Sequence, residues 1–214
     1  MIDFAGNWSD YWASRSPKFR SNIRRCESRA AGSGEVTYER YRPLGAGQDD
    51  GDPHWDLYDE CFGLAQRSWQ GASRRGTTLS HKSVDRYFRE MHTLAAHHGV
   101  VDVNVLRIDG RVIAFAYNYH FDGRLYGVRM GYDSEYSSLS PGSLLLVRSL
   151  KDSFARGDTR LDLATDPAAY KEKWRTGTRA SYRYTYYAPA SPRSQLLRLK
   201  HHSSSICRKI GKWR

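Results

Sequence analysis

Ser140-Pro141-Gly142-Ser143-Leu144 is the stretch of this chain best suited to hold a negative charge. Ser and Pro ahead of Leu144, Leu145, Leu146, Leu150 and Phe154 predict a helix start, and Gly157 predicts its end. The first N–H groups of a helix have no partner inside it and lie at the positive end of its dipole. Ser140, Gly142, Ser143 and Leu144 are therefore candidates to bind a phosphate or to polarise a carbonyl oxygen. The same residues also suit a capped packing helix that binds nothing. Before the helix, Tyr132 and Tyr136 carry phenols that can give a proton, and Asp133 and Glu135 are acids of the same loop. After it, Asp162 lies between Leu161 and Leu163. Facing a cleft, its carboxylate can accept a proton from an amine; facing away, it bonds a neighbouring helix end.

The elements that must position these groups follow from periodicity. Leu125–Gly131 reads as a strand, 132–139 as a loop and Arg160–Leu163 as a short second strand. Strand, crossover helix and strand are most easily joined in parallel. Ahead of this unit, Val101, Val103 and Val105 alternate with Asp102 and Asn104, and Val112–Phe121 is a returning strand. Asp109-Gly110 and Asp122-Gly123 are tight turns that make the three strands an antiparallel meander. Earlier still, Ser16-Pro17 opens a basic helix with Phe19, Ile23, Cys26 and Ala30 on one face, followed by a short strand at Val36, Tyr38 and Arg40. Helices are expected over 54–69, from a Ser80 cap to Gly99, and over 167–174. Tyr182, Tyr184 and Tyr186 alternate as a last strand over 180–188. The order gives an α/β (α+β) domain with a mixed sheet: a meander, one parallel strand–helix–strand crossover, and flanking helices. The boundaries read as an arm over 1–45, a main domain over 46–190 and a basic tail over 191–214.

The 214 residues carry a net charge of +11, which favours anionic partners. Residues 191–214 contain no Asp or Glu and seven Lys or Arg, so the tail supplies +7 of this and suits peripheral contact with a membrane surface. No run of about 18 apolar residues is present to span a bilayer. The N-terminus lacks the pattern of a secretory signal, and three scattered cysteines make no disulfide framework, so a cytoplasmic setting is expected. The histidines have no Cys or carboxylate at metal-ligand spacing, and no metal is expected. No G-x-S-x-G, Walker loop or dinucleotide fingerprint occurs, which argues against a serine hydrolase, an NTPase and a dinucleotide enzyme.

The element order, with Ser16–Arg25, Asp109–Phe115, Gly131–Tyr136, Ser140–Leu145, Leu161–Leu163 and Tyr170–Trp174, resembles the GNAT-fold acyltransferases, and within them the CelD/Fem-type (BioF-like acetyltransferase) branch. The resemblance covers roughly residues 16–190. It implies transfer of an acyl group, acetyl above all, from acyl-CoA (acetyl-CoA) to an amine, the acceptor being an amino sugar or another envelope or exopolysaccharide precursor. It makes Tyr170-Lys171 the family's aromatic-Lys element, with Lys171 neutralising charge on the substrate or the developing oxyanion. Such transfer needs an aligned free amine, a polarised carbonyl and a protonated leaving thiolate, which brings in Asp162 and Tyr136. Family members commonly have two lobes, and this chain resembles one that starts near the end of the first. The family's pyrophosphate loop has two spaced glycines, whereas Tyr136–Gly142 has only Gly142. Two other readings stay open: a Fem-type transferase that takes its group from a charged tRNA, and a non-catalytic lobe that needs a partner.

Overall fold

The structure, a computed structural model, describes residues 1–68, 78–164, 169–180, 182 and 184–210, with backbone alone for 202–210. It divides into two compact units, Met1–Arg179 and Ala180–Arg214. The first holds strands β1 (Ile2–Asp3), β2 (Val36–Tyr41), β3 (Val101–Ile108), β4 (Arg111–Phe121), β5 (Arg124–Tyr132) and β6 (Arg160–Asp162). Its helices are α1 (Trp8–Ala13), α2 (Pro17–Ala31), α3 (Trp55–Arg67), α4 (Asp85–His97), α5 (Pro141–Arg156) and α6 (Ala169–Glu172).

The sheet runs β1-β6-β5-β4-β3-β2, and every pair is antiparallel except β5 with β6. The mixed sheet, the meander and the single parallel crossover thus stand as the sequence predicts. Both turns of the meander use left-handed backbone: φ is 48° at Asp109 and 79° at Gly110, then 50° at Asp122 and 66° at Gly123. Asp and Gly tolerate that conformation, which matches the twist of the strands they join. Residues 1–45 contribute β1, α1, α2 and β2 to this unit.

Two apolar cores flank the sheet. On one side, α2 lays Phe19, Ile23, Cys26 and Ala30 against Leu144, Leu145 and Leu150 of α5, with Trp174 beside them. Ser16 accepts a hydrogen bond from the Phe19 N–H at 3.3 Å and Pro17 takes the first helical position, so α2 starts where the sequence places it. On the other side, Leu57, Tyr58, Cys61 and Leu64 of α3 and Phe88 and Ala95 of α4 pack on Val103, Val105, Phe115 and Tyr117.

Polar residues also lie inside. Asp102 and Asn104, which alternation assigns to a solvent face, are fully buried. Asp102 Oδ2 accepts from Nε of Arg40 at 2.8 Å and of Arg42 at 2.7 Å, while Arg42 also forks onto Asp158 at 2.8 Å. Arg40 continues to Asp152 of α5 at 2.7 Å. The buried charges are satisfied by one another, the condition under which they persist in a core.

Three expectations are corrected. The fourth helix starts at Asp85, not at a Ser80 cap: residues 78–84 turn back on themselves, with the Val84 and Asp85 N–H groups donating to the His81 carbonyl. Tyr132 ends β5 instead of opening the loop. The tyrosines of 180–188 form no strand among the described residues, and Tyr182, Tyr184 and Tyr186 are 78%, 91% and 84% exposed. A half-buried strand needs one covered face, and none of the three is covered. Trp69 of the expected second helix, and Pro167 and Ala168 of the expected 167–174 helix, lie outside the described residues. The second unit carries α7 (Pro192–Ile210), where the sequence predicts a basic tail.

Candidate functional site

The parallel pairing of β5 with β6 lasts three residues, Arg124↔Arg160 to Tyr126↔Asp162. There β6 ends, and β5 continues for six residues, to Tyr132, with no strand on that edge among the described residues. Backbone N–H and C=O groups on an unpaired strand edge are open to a ligand chain. Gly127 marks the parting, since a Cβ on it would lie 3.0 Å from the Asp162 carbonyl oxygen. Just beyond, β5 carries an extra residue: Tyr117 opposes Arg129 and Asn118 opposes Gly127, so Val128 is bulged out.

Met130 and Tyr132 then face the start of α5. A Cβ on Gly142 would meet Met130 Cε at 3.6 Å and Tyr132 Cδ1 at 3.7 Å, an ordinary contact. Ser140 takes left-handed backbone (φ 54°) between the 3-10 turn Ser134–Leu139 and α5. Its carbonyl accepts from Ser143 N–H at 2.9 Å and Leu144 N–H at 3.2 Å. Two of the expected anion donors are therefore turned into the helix, Pro141 has none, and Gly142 N–H is the first-turn donor without a partner among the described residues. The helix dipole remains.

On the far side of the gap, Asp162 is exposed, and its Oδ1 accepts from the Ala164 N–H at 2.8 Å. Ala164 is held at φ +60°, an uncommon state for a residue with a Cβ. Lys171 Nζ donates to the Ala164 carbonyl at 3.4 Å. One strained turn thus joins the carboxylate and the ammonium. Tyr170, 43% exposed, points its hydroxyl at Met130 Sδ, 3.6 Å away. Met130 Cε in turn lies 3.6 Å from where a Cβ on Gly142 would stand, so Tyr170 and the α5 start share Met130 as a neighbour, while Asp162 and Lys171 meet at Ala164.

Tyr136 is placed differently. It packs half-buried against the α2–α5 core, with the Arg111 guanidinium 5.4 Å over its ring. Arg111 also donates to Asp133 at 2.7 Å and to Glu135 at 2.9 Å, and Asp133 is buried. Those hydrogen bonds, Asp133 first, hold the Arg111 pKa above its usual value. The two loop acids are thereby committed to an arginine. Met130, Ala164 and Gly127 escaped the sequence reading, because a thioether, an alanine and a lone strand glycine carry no chemical signature. Among the described residues no group of three His, Cys, Asp or Glu could hold a metal ion.

Residues 17–172 match the family described as acetyltransferase (GNAT) domain. The chain belongs to that family. Among solved structures, it is similar to the C-terminal domain of a lysylphosphatidylglycerol synthetase from Agrobacterium fabrum, described there as putative (17% identity, TM-score 0.49), covering 81% of this chain and 48% of that one. It is also similar to an aminoglycoside acetyltransferase from an uncultured soil metagenomic sample (10% identity, TM-score 0.48; 71% and 95% covered). A third is the ribosomal-protein-S18-alanine N-acetyltransferase of Escherichia coli (15% identity, TM-score 0.45; 65% and 74% covered). This chain spans about half the length of the first of these. No curated protein matches it.

Proposed function

We propose that this chain is an N-acyltransferase of the CelD/Fem-type branch, moving an acetyl or other acyl group from acyl-CoA to an amine, with an amino sugar or another envelope or exopolysaccharide precursor as acceptor. The observation that carries the reading is the parting of β5 from β6 beside the α5 start, with Asp162, Tyr170 and Lys171 around the gap. An extended donor arm can pair with the open edge of β5, and Gly142 N–H with the helix dipole meets its phosphates. The amine nitrogen then attacks the thioester carbonyl: a C–N bond forms and the C–S bond breaks. The surplus amine proton goes to the Asp162 carboxylate. Lys171 neutralises charge building on the oxygen, and the departing sulfur takes a proton from the Tyr170 phenol. Tyr136, under Arg111, serves to hold the loop.

The test is thiol release from acetyl-CoA with a panel of amines, comparing wild type with Asp162→Asn, Lys171→Ala and Tyr170→Phe. Losses of about 10²-fold or more in kcat, with unchanged melting temperature, are expected for residues that move a proton. Equal turnover by all four proteins removes these residues from the mechanism. A second reading, a tRNA-borne aminoacyl donor, is favoured by one observation: among the described residues, Gly142 N–H is the one donor in the first turn of α5 without a partner to meet a pyrophosphate. Turnover with aminoacyl-tRNA and none with acyl-CoA would select it. A protein that binds neither donor would be the non-catalytic lobe.

A further inference from the structure

The second unit, Ala180–Arg214, contains no Asp or Glu and eight Lys or Arg. In the first unit six arginines, Arg40, Arg42, Arg107, Arg111, Arg156 and Arg160, each meet a carboxylate at 2.6–2.8 Å. The second unit's own sequence contributes no carboxylate side chain. Several of the unit's described apolar side chains are uncovered. Leu196 and Leu199 are each 67% exposed and Leu197 47%, beside the exposed tyrosines at 182, 184 and 186.

These groups are ordered along α7. Its 19 residues make a rod about 28 Å long. In the sequence Leu196, Leu199, Ile206 and Ile210 recur at intervals of three, seven and four, one stripe of a helix. Arg193 and Lys200 fall along one flank of it and Arg198 along the other. No helix among the described residues is long and apolar enough to cross a membrane. An amphipathic helix of this make-up lies in the plane of a bilayer surface, its leucines among the acyl chains and its cations among anionic headgroups. Tyrosines suit the same depth, with an apolar ring and a polar tip.

We propose that α7, with the tyrosine segment before it, docks this protein on an anionic phospholipid bilayer. The leucine stripe selects lipid over nucleic acid, which would use the charge and leave the stripe in water. The absence of acids selects an anionic bilayer over a neutral one. The inference is independent of the acyl-transfer reading, because it uses no residue of the β5–β6 gap.

The test is co-sedimentation of the full chain with vesicles of phosphatidylcholine alone or mixed with phosphatidylglycerol. Binding is expected to the mixed vesicles only, and to weaken with salt. Arg193→Gln and Lys200→Gln should each weaken it about fivefold, and the double variant Leu196→Ser/Leu199→Ser about tenfold or more. Circular dichroism and melting of each variant check that its fold is kept, and the charge variants decide should the leucine variant fail that check. Failure to bind mixed vesicles overturns the proposal. So does a folded leucine variant that binds like wild type with both displaced equally by RNA, which is a charge-only surface. Self-association abolished by the leucine variant while vesicle binding persists also overturns it, since the stripe then serves a second copy of the chain.

Discussion

Gly127 backs onto Asp162 so closely that a Cβ would stand 3.0 Å from the Asp162 carbonyl oxygen, tighter than side-chain carbons normally sit. The contact falls one residue past the last parallel pair, Tyr126↔Asp162. A side chain there must push β6 away or bend β5. Gly127→Ala is expected to cost about 1–3 kcal/mol, the usual range for overpacking, and Gly127→Val more. Because Asp162 is the residue displaced, turnover should fall further than the unfolded fraction explains. Thermal melts and thiol-release rates on the same samples separate the two effects.

Two buried guanidinium groups, those of Arg40 and Arg42, converge on one oxygen of Asp102, and its other oxygen accepts from Asn104 at 2.5 Å and Asn118 at 3.1 Å. Asp102→Asn keeps the shape and strands the charge of Arg40 and Arg42. A loss of about 3–5 kcal/mol is expected, as for other broken buried pairs, and denaturant unfolding measures it. The same cluster sets the response to acid. Burial pushes Asp158 up, but the hydrogen bond and charge of Arg42, with Ser153 and Arg40, outweigh it and hold the carboxyl below its ordinary 3.8. A carboxyl lowered on folding stabilises above its unfolded pKa, and that share is lost as pH falls through the folded value. Stability should therefore begin to drop as pH enters the carboxylate range. Arg42→Gln should shrink the Asp158 share of that drop.

His92 gives a second, milder window. It is buried between the Pro53 carbonyl, 2.5 Å from Nε2, and the Tyr117 hydroxyl, 3.0 Å from Nδ1. Burial, opposed in part by the Pro53 bond, lowers its pKa below 6.5. The unfolded chain then takes up a proton near pH 6.5 that the folded chain refuses, so stability declines as pH falls from there to the folded pKa. His92→Gln should flatten that decline while lowering stability at neutral pH. The residual slope belongs to His120, lowered by burial first and Arg42 second. Melting temperatures between pH 5 and 8 read both.

The meander was legible because each Asp-Gly pair demands a backbone that few other residues accept, and the α2 start because Ser16 and Pro17 do separate jobs at adjacent positions. β1 was not. Two residues, Ile2 and Asp3, have no period, and their partners on β6 lie more than 150 positions away. Asp102 and Asn104 misled in the other direction: alternation with valines implies a wet face, but Arg40 and Arg42 from a neighbouring strand make that face dry. The alternating tyrosines have the spacing of a strand without a covered face. At the candidate site, the charged and phenolic groups could be picked by type. The turn at Ala164, which Asp162 and Lys171 share, and the contact of Tyr170 with Met130 depend on backbone geometry that residue types do not encode.

The bulge at Val128 acts as a parity switch. Leu125 lies on the α5 side of the sheet, and strict alternation would send Arg129 and Gly131 to that side after it. With one residue inserted, even numbers take over: Met130 and Tyr132 look toward Gly142, while Arg129 stacks over Phe88 beneath the other face, 5.0 Å from its ring. Straightening the strand with Val128 kept in it would leave the composition of the gap almost untouched and exchange its occupants, a guanidinium for a thioether.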